Sequence, residues 1–170
     1  MNTRTKNLRV AMLAVAALLA IPAAQAATDA EAIAVQRATA PDRTGKKRIG
    51  IASYYHPMFV GRKMADGNLF DANGINAASR SLPLGTLALV TNVENQKSAI
   101  VRIQDRGPYA GSHRIVDLSP RIAEELGITH KGLAKVEVTP IVVPLPDGTV
   151  RIGEASATTA SASLRATTGG

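Results

Sequence analysis

Residues 104–109 read QDRGPY and mark the point where a predicted strand gives way to a rigid turn. Across residues 97–104 the apolar side chains fall, with one exception, at every second position, which is typical of a strand with one buried face. Continuing this alternation puts Asp105 on the buried phase. Gly107 and Pro108 then break the strand, because glycine permits unusual backbone angles and proline has no N–H to donate to a ladder. The sequence therefore predicts an inward-facing carboxylate at a strand end.

The predicted position of Asp105 has two interpretations. A partly buried carboxyl group at the end of a strand, held by a rigid turn, is suited to general acid–base catalysis. The alternative is that Asp105 only ties the turn to backbone N–H groups, as aspartate often does. The residues alone leave both interpretations open.

The first 26 residues have the pattern of a secretory signal peptide. A basic start is followed by an apolar run from Val10 to Ile21, and residues 24–26 form a small-x-small cleavage site. The apolar run is too short to span a bilayer comfortably. We therefore expect the chain to cross the inner membrane and to become a soluble periplasmic or cell-envelope protein; an uncleaved anchor is the alternative.

Composition narrows the choice of partners. The chain has 20 basic and 13 acidic side chains, and removing the signal takes away three basic residues, which leaves 17 against 13, or +4. A modest positive charge suits cell-wall polymer or a membrane surface, whereas the signal and the lack of a dense basic run argue against nucleic acid. The chain has no cysteine, so we expect no disulfide and no lipid anchor. The scattered histidines and the missing phosphate-binding loop predict neither metal nor cofactor.

The predicted elements fill residues 48–143, between a flexible leader at 27–47 and a low-complexity tail at 144–170 that is expected to be disordered from Glu154 onward. A short helix is predicted to open at Ser119 and Pro120. Residues 56–83 lack periodicity and form a long predicted loop, of the kind that is often functional. Strands are predicted at 49–55, 84–93, 97–104, 114–118 and 134–143, with a further short pairing at 150–152. This density of short strands indicates a small closed barrel.

Seven blocks of the chain, in the same order, resemble the RlpA family. The resemblance covers about residues 48–140 and implies a mostly β fold, a six-stranded double-psi β-barrel with one short helix. It also implies an endolytic peptidoglycan lytic transglycosylase, which cleaves MurNAc–GlcNAc bonds in glycan strands without water and leaves a 1,6-anhydro end. Such a protein takes peptidoglycan as its partner; its cell-division partners are unknown. The blocks are GIASYY (50–55), GRKMADG (61–67), FD (70–71), AASRSLPLGT (77–86), VTN (90–92), DRGPY (105–109) and RIVDLS (114–119).

Three polar positions matter in active members of that family, and two are substituted in this chain. The resemblance aligns a family glutamate with Asn68, a family histidine with Ser79 and the family aspartate with Asp105. Neither substitute can exchange a proton near neutral pH as the family residue does. One acid can still be enough, because the sugar's own 6-hydroxyl is the nucleophile. The alternative is a non-catalytic glycan-binding barrel. Both substituted positions are expected to be loop positions that accept the family residue at little cost.

Other residues complete the candidate site. Asp66 is a second catalytic candidate, since its carboxylate lies two positions before Asn68; the alternative is a solvated turn. Substrate binding is expected from Asn68 and Ser79 and from two tyrosines and three arginines. By strand alternation one tyrosine faces the core and the other faces the substrate, and each arginine either grips sugar groups or is an ordinary surface charge. These five residues are Tyr54, Tyr55, Arg62, Arg80 and Arg106.

Overall fold

Six of the seven strands in this computed structural model close into a ring. The structure describes residues 40–111 and 113–157, so the predicted signal at 1–26, residues 27–39 of the leader and residues 158–170 of the tail lie outside it. The strands are β1 (Arg48–Tyr54), β2 (Asn76–Ala78), β3 (Leu87–Asn92), β4 (Ser98–Asp105), β5 (Arg114–Leu118), β6 (Ala134–Pro144) and β7 (Val150–Ile152).

The ring runs β1-β5-β2-β4-β3-β6 and closes because β6 also pairs with β1, while β7 pairs with the C-terminal end of β6, beyond β1. The pairs β1–β5 and β2–β4 are parallel and the other pairs are antiparallel. This closed ring with two parallel pairs is the double-psi β-barrel that the family resemblance implied. Closure leaves no strand of the ring with an unpaired edge.

Strand β2 is the element that the sequence analysis missed. Its residues Asn76, Ala77 and Ala78 lie inside the predicted loop at 56–83, and all three are buried. Three residues are too few to display alternation, and two of them are alanines, which are depleted in strands. The predicted pairing at 150–152 is present as β7, but it lies outside the barrel, so β2 is the sixth barrel strand.

The barrel interior is filled by the alternating residues of the strands. Strand β4 buries Ala99, Val101 and Ile103, while Ile100 between them is 51% exposed. Strand β3 alternates in the same way. The helix α1 (Pro120–Glu125) begins at the predicted cap, with the Ser119 hydroxyl accepting the Ile122 N–H, and it covers one end of the core. A 3-10 turn (Pro57–Phe59) follows β1.

The ordered region extends beyond both predicted ends. In the predicted leader, Asp42 forms an ion pair with Arg48 at 3.2 Å. The predicted disorder from Glu154 is wrong for residues 154–157, which form one helical turn. Glu154 donates its N–H to the Gly45 carbonyl at 2.9 Å, and its Oε2 accepts the Lys47 N–H at 2.9 Å. The two ends therefore meet on the barrel and hold each other. No helix within the described residues is long and apolar enough to cross a membrane.

Candidate active site

Asp105 is the last residue of β4 and is half-buried. The alternation of buried and exposed positions ends at Ile103, since Gln104 and Asp105 have the same intermediate burial. Strand β2 fixes its backbone, since Ala78 pairs with Asp105 across a bulge and the Ser79 N–H donates to the Asp105 carbonyl at 3.2 Å. A bulge re-aims the side chain beside it. The end of β4 is therefore held firmly at the position of this carboxylate.

The carboxylate oxygens of Asp105 have different partners. Oδ1 accepts the backbone N–H groups of Ala65 at 2.9 Å and Arg106 at 2.8 Å. Oδ2 accepts the hydroxyl of Tyr55 at 2.8 Å. Oδ1 thus ties the turn to the backbone, as the structural interpretation of the sequence expected. The partner of Oδ2 is a hydroxyl group, which can either donate a hydrogen bond to the carboxylate or accept one from the protonated acid.

Tyr55 lies in a cluster with two other aromatic residues. Its ring centroid is 4.5 Å from that of Phe70 and 5.6 Å from that of Phe59, an edge-on contact. The guanidinium carbon of Arg62 lies 5.2 Å from the Phe59 centroid, within cation–π range. Burial, and then the hydrogen bond to Asp105, raises the pKa of Tyr55, so this residue remains a neutral phenol.

Tyr54 has a different environment from Tyr55. Its ring packs against the barrel core, and its hydroxyl donates to the Thr129 carbonyl at 3.4 Å. The structure therefore separates the two tyrosines, with Tyr54 on the core and Tyr55 on Asp105. Tyr109, just beyond the turn, is 80% exposed.

Asp66 is an exposed residue whose carboxylate is fully engaged. It accepts the backbone N–H of Asn68 at 2.9 Å, the side-chain amide of Asn68 at 2.8 Å and that of Gln104 at 2.9 Å. Burial acts to raise the pKa of Asp66, but these hydrogen bonds outweigh it and the pKa lies below its ordinary value. The Asp66 N–H also donates to the Gln104 carbonyl at 3.0 Å. Asp66 and Asn68 therefore hold the loop against β4.

Ser79 and Arg106 stabilise the loop that follows β2. Ser79 is only 2% exposed, and its hydroxyl accepts the N–H groups of Ser81 at 3.3 Å and Leu82 at 3.2 Å. Arg106 donates to the carbonyls of Ser79 at 3.0 Å and Leu82 at 2.7 Å. Arg80 is exposed and donates to the Arg114 carbonyl at 3.2 Å. These contacts direct Ser79 and Arg106 into the protein.

A second polar cluster, which the sequence analysis did not assemble, lies between β1 and β5. Asp117 accepts hydrogen bonds from the Ser53 hydroxyl and from Arg114, the latter at 2.7 Å. Arg114 also donates to Ser53 at 2.7 Å. Ala78 pairs with Asp117 on one side and with Asp105 on the other. Residues three apart on a strand ordinarily face opposite sides, so the sequence carries no signal for the Arg114–Asp117 ion pair, and only the fold brings Ser53 to them.

The arrangement offers one half-buried carboxylate whose Oδ2 faces a phenol. Asp66 accepts hydrogen bonds only from N–H groups, and Asp117 forms an ion pair with Arg114, which suits both to hold structure rather than to carry a proton. Within residues 40–111 and 113–157, no three His, Asp or Glu side chains converge in a way that could hold a metal ion. The half-buried carboxylate of Asp105 is suited to moving a proton to and from a substrate hydroxyl or ether oxygen.

A family model and individual relatives of this chain agree on one protein family. The sequence model of the family described as lytic transglycolase matches residues 47–138. The chain is 46% identical over 100 residues to the endolytic peptidoglycan transglycosylase RlpA of Pasteurella multocida, covering 59% of this chain and 34% of that protein. It is 49% identical over 92 residues to a probable endolytic peptidoglycan transglycosylase RlpA of Synechocystis, covering 53% and 28%. The chain thus spans about a third of the length of these relatives.

Solved structures give weaker similarities. A papain inhibitor from Streptomyces aligns with a TM-score of 0.45 and 20% identity, covering 56% of this chain and 94% of that one. An expansin from Clavibacter michiganensis aligns with a TM-score of 0.39 and 19% identity, covering 58% and 52%.

Proposed function

The chain belongs to the lytic transglycolase family, and from that premise we propose that its barrel cleaves peptidoglycan glycan strands as an endolytic transglycosylase. The observation that carries this proposal is the carboxylate of Asp105, half-buried at a fixed strand end with its Oδ2 facing the Tyr55 hydroxyl at 2.8 Å. The relatives named for this activity are about three times longer than the matched region, so the proposal concerns the barrel alone.

In the proposed reaction Asp105 acts first as acid and then as base. It donates a proton to the glycosidic oxygen while the bond from that oxygen to C1 of N-acetylmuramic acid breaks. The 6-hydroxyl oxygen of the same sugar then bonds to C1, and its proton passes to Asp105. The products are a free hydroxyl on one sugar and a 1,6-anhydro ring on the other, and the enzyme regains its proton. One carboxyl group suffices here, whereas glycoside hydrolysis ordinarily uses two.

We assign the other predicted site residues according to their contacts. Asp66 and Asn68 shape the loop beside Asp105, because each is engaged with the other and Asp66 also with Gln104. Arg62 is the arginine best suited to substrate, since its guanidinium rests on Phe59 next to the Tyr55 ring. Tyr109 is exposed beside the same turn and can stack on a sugar. A peptidoglycan substrate also requires an extracytoplasmic location.

The second candidate function is a glycan-binding barrel without catalysis. It is favoured by Ser79, which occupies the aligned position of a family histidine but is 2% exposed and bonded to its own loop. Asn68, at the aligned glutamate position, cannot exchange a proton. This candidate predicts binding to glycan strands with no bond cleavage.

Digestion of purified sacculi distinguishes the two functions. The parent protein should release glycan with 1,6-anhydro ends, detected by mass spectrometry, and Asp105→Asn should bind sacculi but reduce the release about 10²- to 10⁴-fold, the usual contribution of general acid–base catalysis. Asp147→Asn, an aspartate in the exposed turn before β7, is the matched control and should retain activity.

The other outcomes are equally informative. An Asp105→Asn protein as active as the parent would show that Asp105 is not the acid. A parent that binds sacculi without cleaving them would establish the binding function. A parent that neither binds nor cleaves would exclude both candidates.

A further inference from the structure

The two oxygens of Asp105 differ in what their partners can do. Oδ1 is bound by two backbone N–H groups, from Ala65 and Arg106, and an N–H group can only donate. A proton on Oδ1 would therefore point at other hydrogen-bond donors and find no acceptor among these partners. Oδ2 is bound by the hydroxyl of Tyr55, and a hydroxyl can donate or accept. The proton of a neutral Asp105 is accommodated only on Oδ2.

We propose that Tyr55 is the positioning residue that allows Oδ2 of Asp105 to alternate between proton donor and proton acceptor. This inference rests on the proposed function and assigns to Tyr55 a role other than sugar stacking. When Asp105 is ionised, the Tyr55 hydroxyl donates to Oδ2. When Oδ2 carries the proton, the same hydroxyl rotates and its oxygen lone pair faces that proton until substrate takes it. The carboxyl group keeps one orientation through both half-reactions.

The ring of Tyr55 is held so that the hydroxyl stays in place. Its backbone N–H donates to the Leu118 carbonyl at 2.9 Å, which fixes the residue directly after β1. Phe70 and Phe59 contact the ring at centroid distances of 4.5 and 5.6 Å. Rotation of the hydroxyl about its C–O bond therefore needs no movement of the ring.

Burial and the negative charges around Tyr55 keep its hydroxyl protonated. Burial raises its pKa first, followed by the hydrogen bond to Asp105 and the negative charges of Asp105 and Asp117, with Tyr109 adding to them. On the neighbouring loops, Arg106 is occupied with the carbonyls of Ser79 and Leu82. Asp66 is occupied with Asn68 and Gln104. The hydroxyl thus stays neutral, and it does not become an anion that would compete with Asp105 for the proton.

Tyr55→Phe tests the proposal, with Tyr54→Phe as the matched control. The substitution keeps the ring against Phe59 and Phe70 and removes only the hydroxyl. We expect kcat on sacculi to fall about 100-fold, the scale of a misplaced catalytic group, with KM within about threefold of the parent value. The alkaline limb of the pH–rate profile, where Asp105 has lost the proton that it must donate, should also move to higher pH, because the carboxylate anion has lost a donor. Tyr54→Phe should leave kcat and the profile unchanged.

A merely structural role for Tyr55 would leave the pH profile in place. The proposal is overturned if Tyr55→Phe keeps the kcat and the profile of the parent. It is equally overturned if KM alone rises, since that result assigns Tyr55 to substrate binding.

A spectroscopic titration tests the pairing without enzyme activity or a folded Tyr55→Phe variant. Tyrosine ionisation is followed by ultraviolet absorbance at alkaline pH in the parent and in Asp105→Asn, with Asp147→Asn as the control. Asp105→Asn should lower the pH at which the most resistant tyrosine ionises, because the phenolate no longer meets a carboxylate. An unchanged titration would refute the pairing. A different outcome is that the titration shows the Tyr55–Asp105 hydrogen bond while the parent protein releases no anhydro ends. In that case the proposed function is wrong, and the positioning role of Tyr55 in catalysis is wrong with it.

Discussion

Ser79 illustrates how one residue's burial changes what a substitution does. Sequence alone suggested that histidine would be accepted there at little cost. The structure encloses the side chain, which is 2% exposed, and uses its hydroxyl to hold the Ser81 and Leu82 N–H groups. A histidine ring is much bulkier than the serine hydroxyl, and it cannot accept both N–H groups from the position of that hydroxyl.

We therefore predict that Ser79→His lowers the free energy of unfolding by about 1–3 kcal/mol, the usual effect of overpacking a buried site. Asn68→Glu also loses the amide hydrogen bond to Asp66, but at an exposed position, so it should cost about 1 kcal/mol or less. Urea unfolding of the two variants measures the difference. If Ser79→His is as stable as the parent, the loop has room for histidine and a restored family site becomes feasible.

At the scale of the elements, Ser119 connects the helix α1 to the loop before β2. Its hydroxyl accepts the Ile122 N–H at 3.4 Å and donates to the Gly74 carbonyl at 2.7 Å, and the residue is fully buried. Ser119→Ala removes the cap and leaves a buried carbonyl without this partner. We predict a loss of about 1–2 kcal/mol in unfolding free energy.

Ser98→Ala is the control for that measurement. Ser98 is exposed on β4, where its hydroxyl pairs with Thr91, so the same chemical change should cost less than about 0.5 kcal/mol. Equal losses in the two variants would contradict the special role of Ser119. Denaturant midpoints at constant m-value give both numbers.

The elements that could be predicted from sequence are those that carry their own signal. Strand β4 and helix α1 were predicted because alternation, the Ser-Pro start and the Gly-Pro break are local properties of the chain. Strand β2 could not be predicted, because its three residues have no local pattern and form a strand only by pairing with distant strands in the fold. The same limit applies to the site. Asp105 was found from its place at the end of a predicted strand, whereas the Tyr55 hydroxyl reaches it across 50 residues of sequence.

At the scale of the whole molecule, the two ends of the described chain stabilise the barrel together. Arg151 donates to the Arg43 carbonyl at 2.7 Å, Glu154 bonds to Gly45 and Lys47, and Gly153 donates to the Ile141 carbonyl at 2.8 Å. We predict that deleting residues 154–170 lowers the melting temperature by about 4 °C or more, since roughly 1 kcal/mol shifts a domain of this size by that amount.

Deleting residues 158–170 is the matched control for that truncation. It preserves the hydrogen bonds of Glu154 to Gly45 and Lys47, so we expect a smaller loss of melting temperature than in the first truncation. Calorimetry on both truncations measures the contribution of residues 154–157. If both melt together with the parent, the contacts of the helical turn add nothing to the stability of the barrel.

The ring of strands also constrains the order of folding. Strand β1 closes the barrel by pairing with β6, so that Arg48 meets Val138 some 90 positions later in the chain. Loop closure over such distances is costly in entropy, and folds of this high contact order fold slowly, in milliseconds to seconds. A growing chain cannot complete the barrel until its last barrel strand, β6, is available for pairing. Until then the β6 side of β1 has no partner, so the closed barrel forms only once the whole of residues 48–144 takes part in the fold.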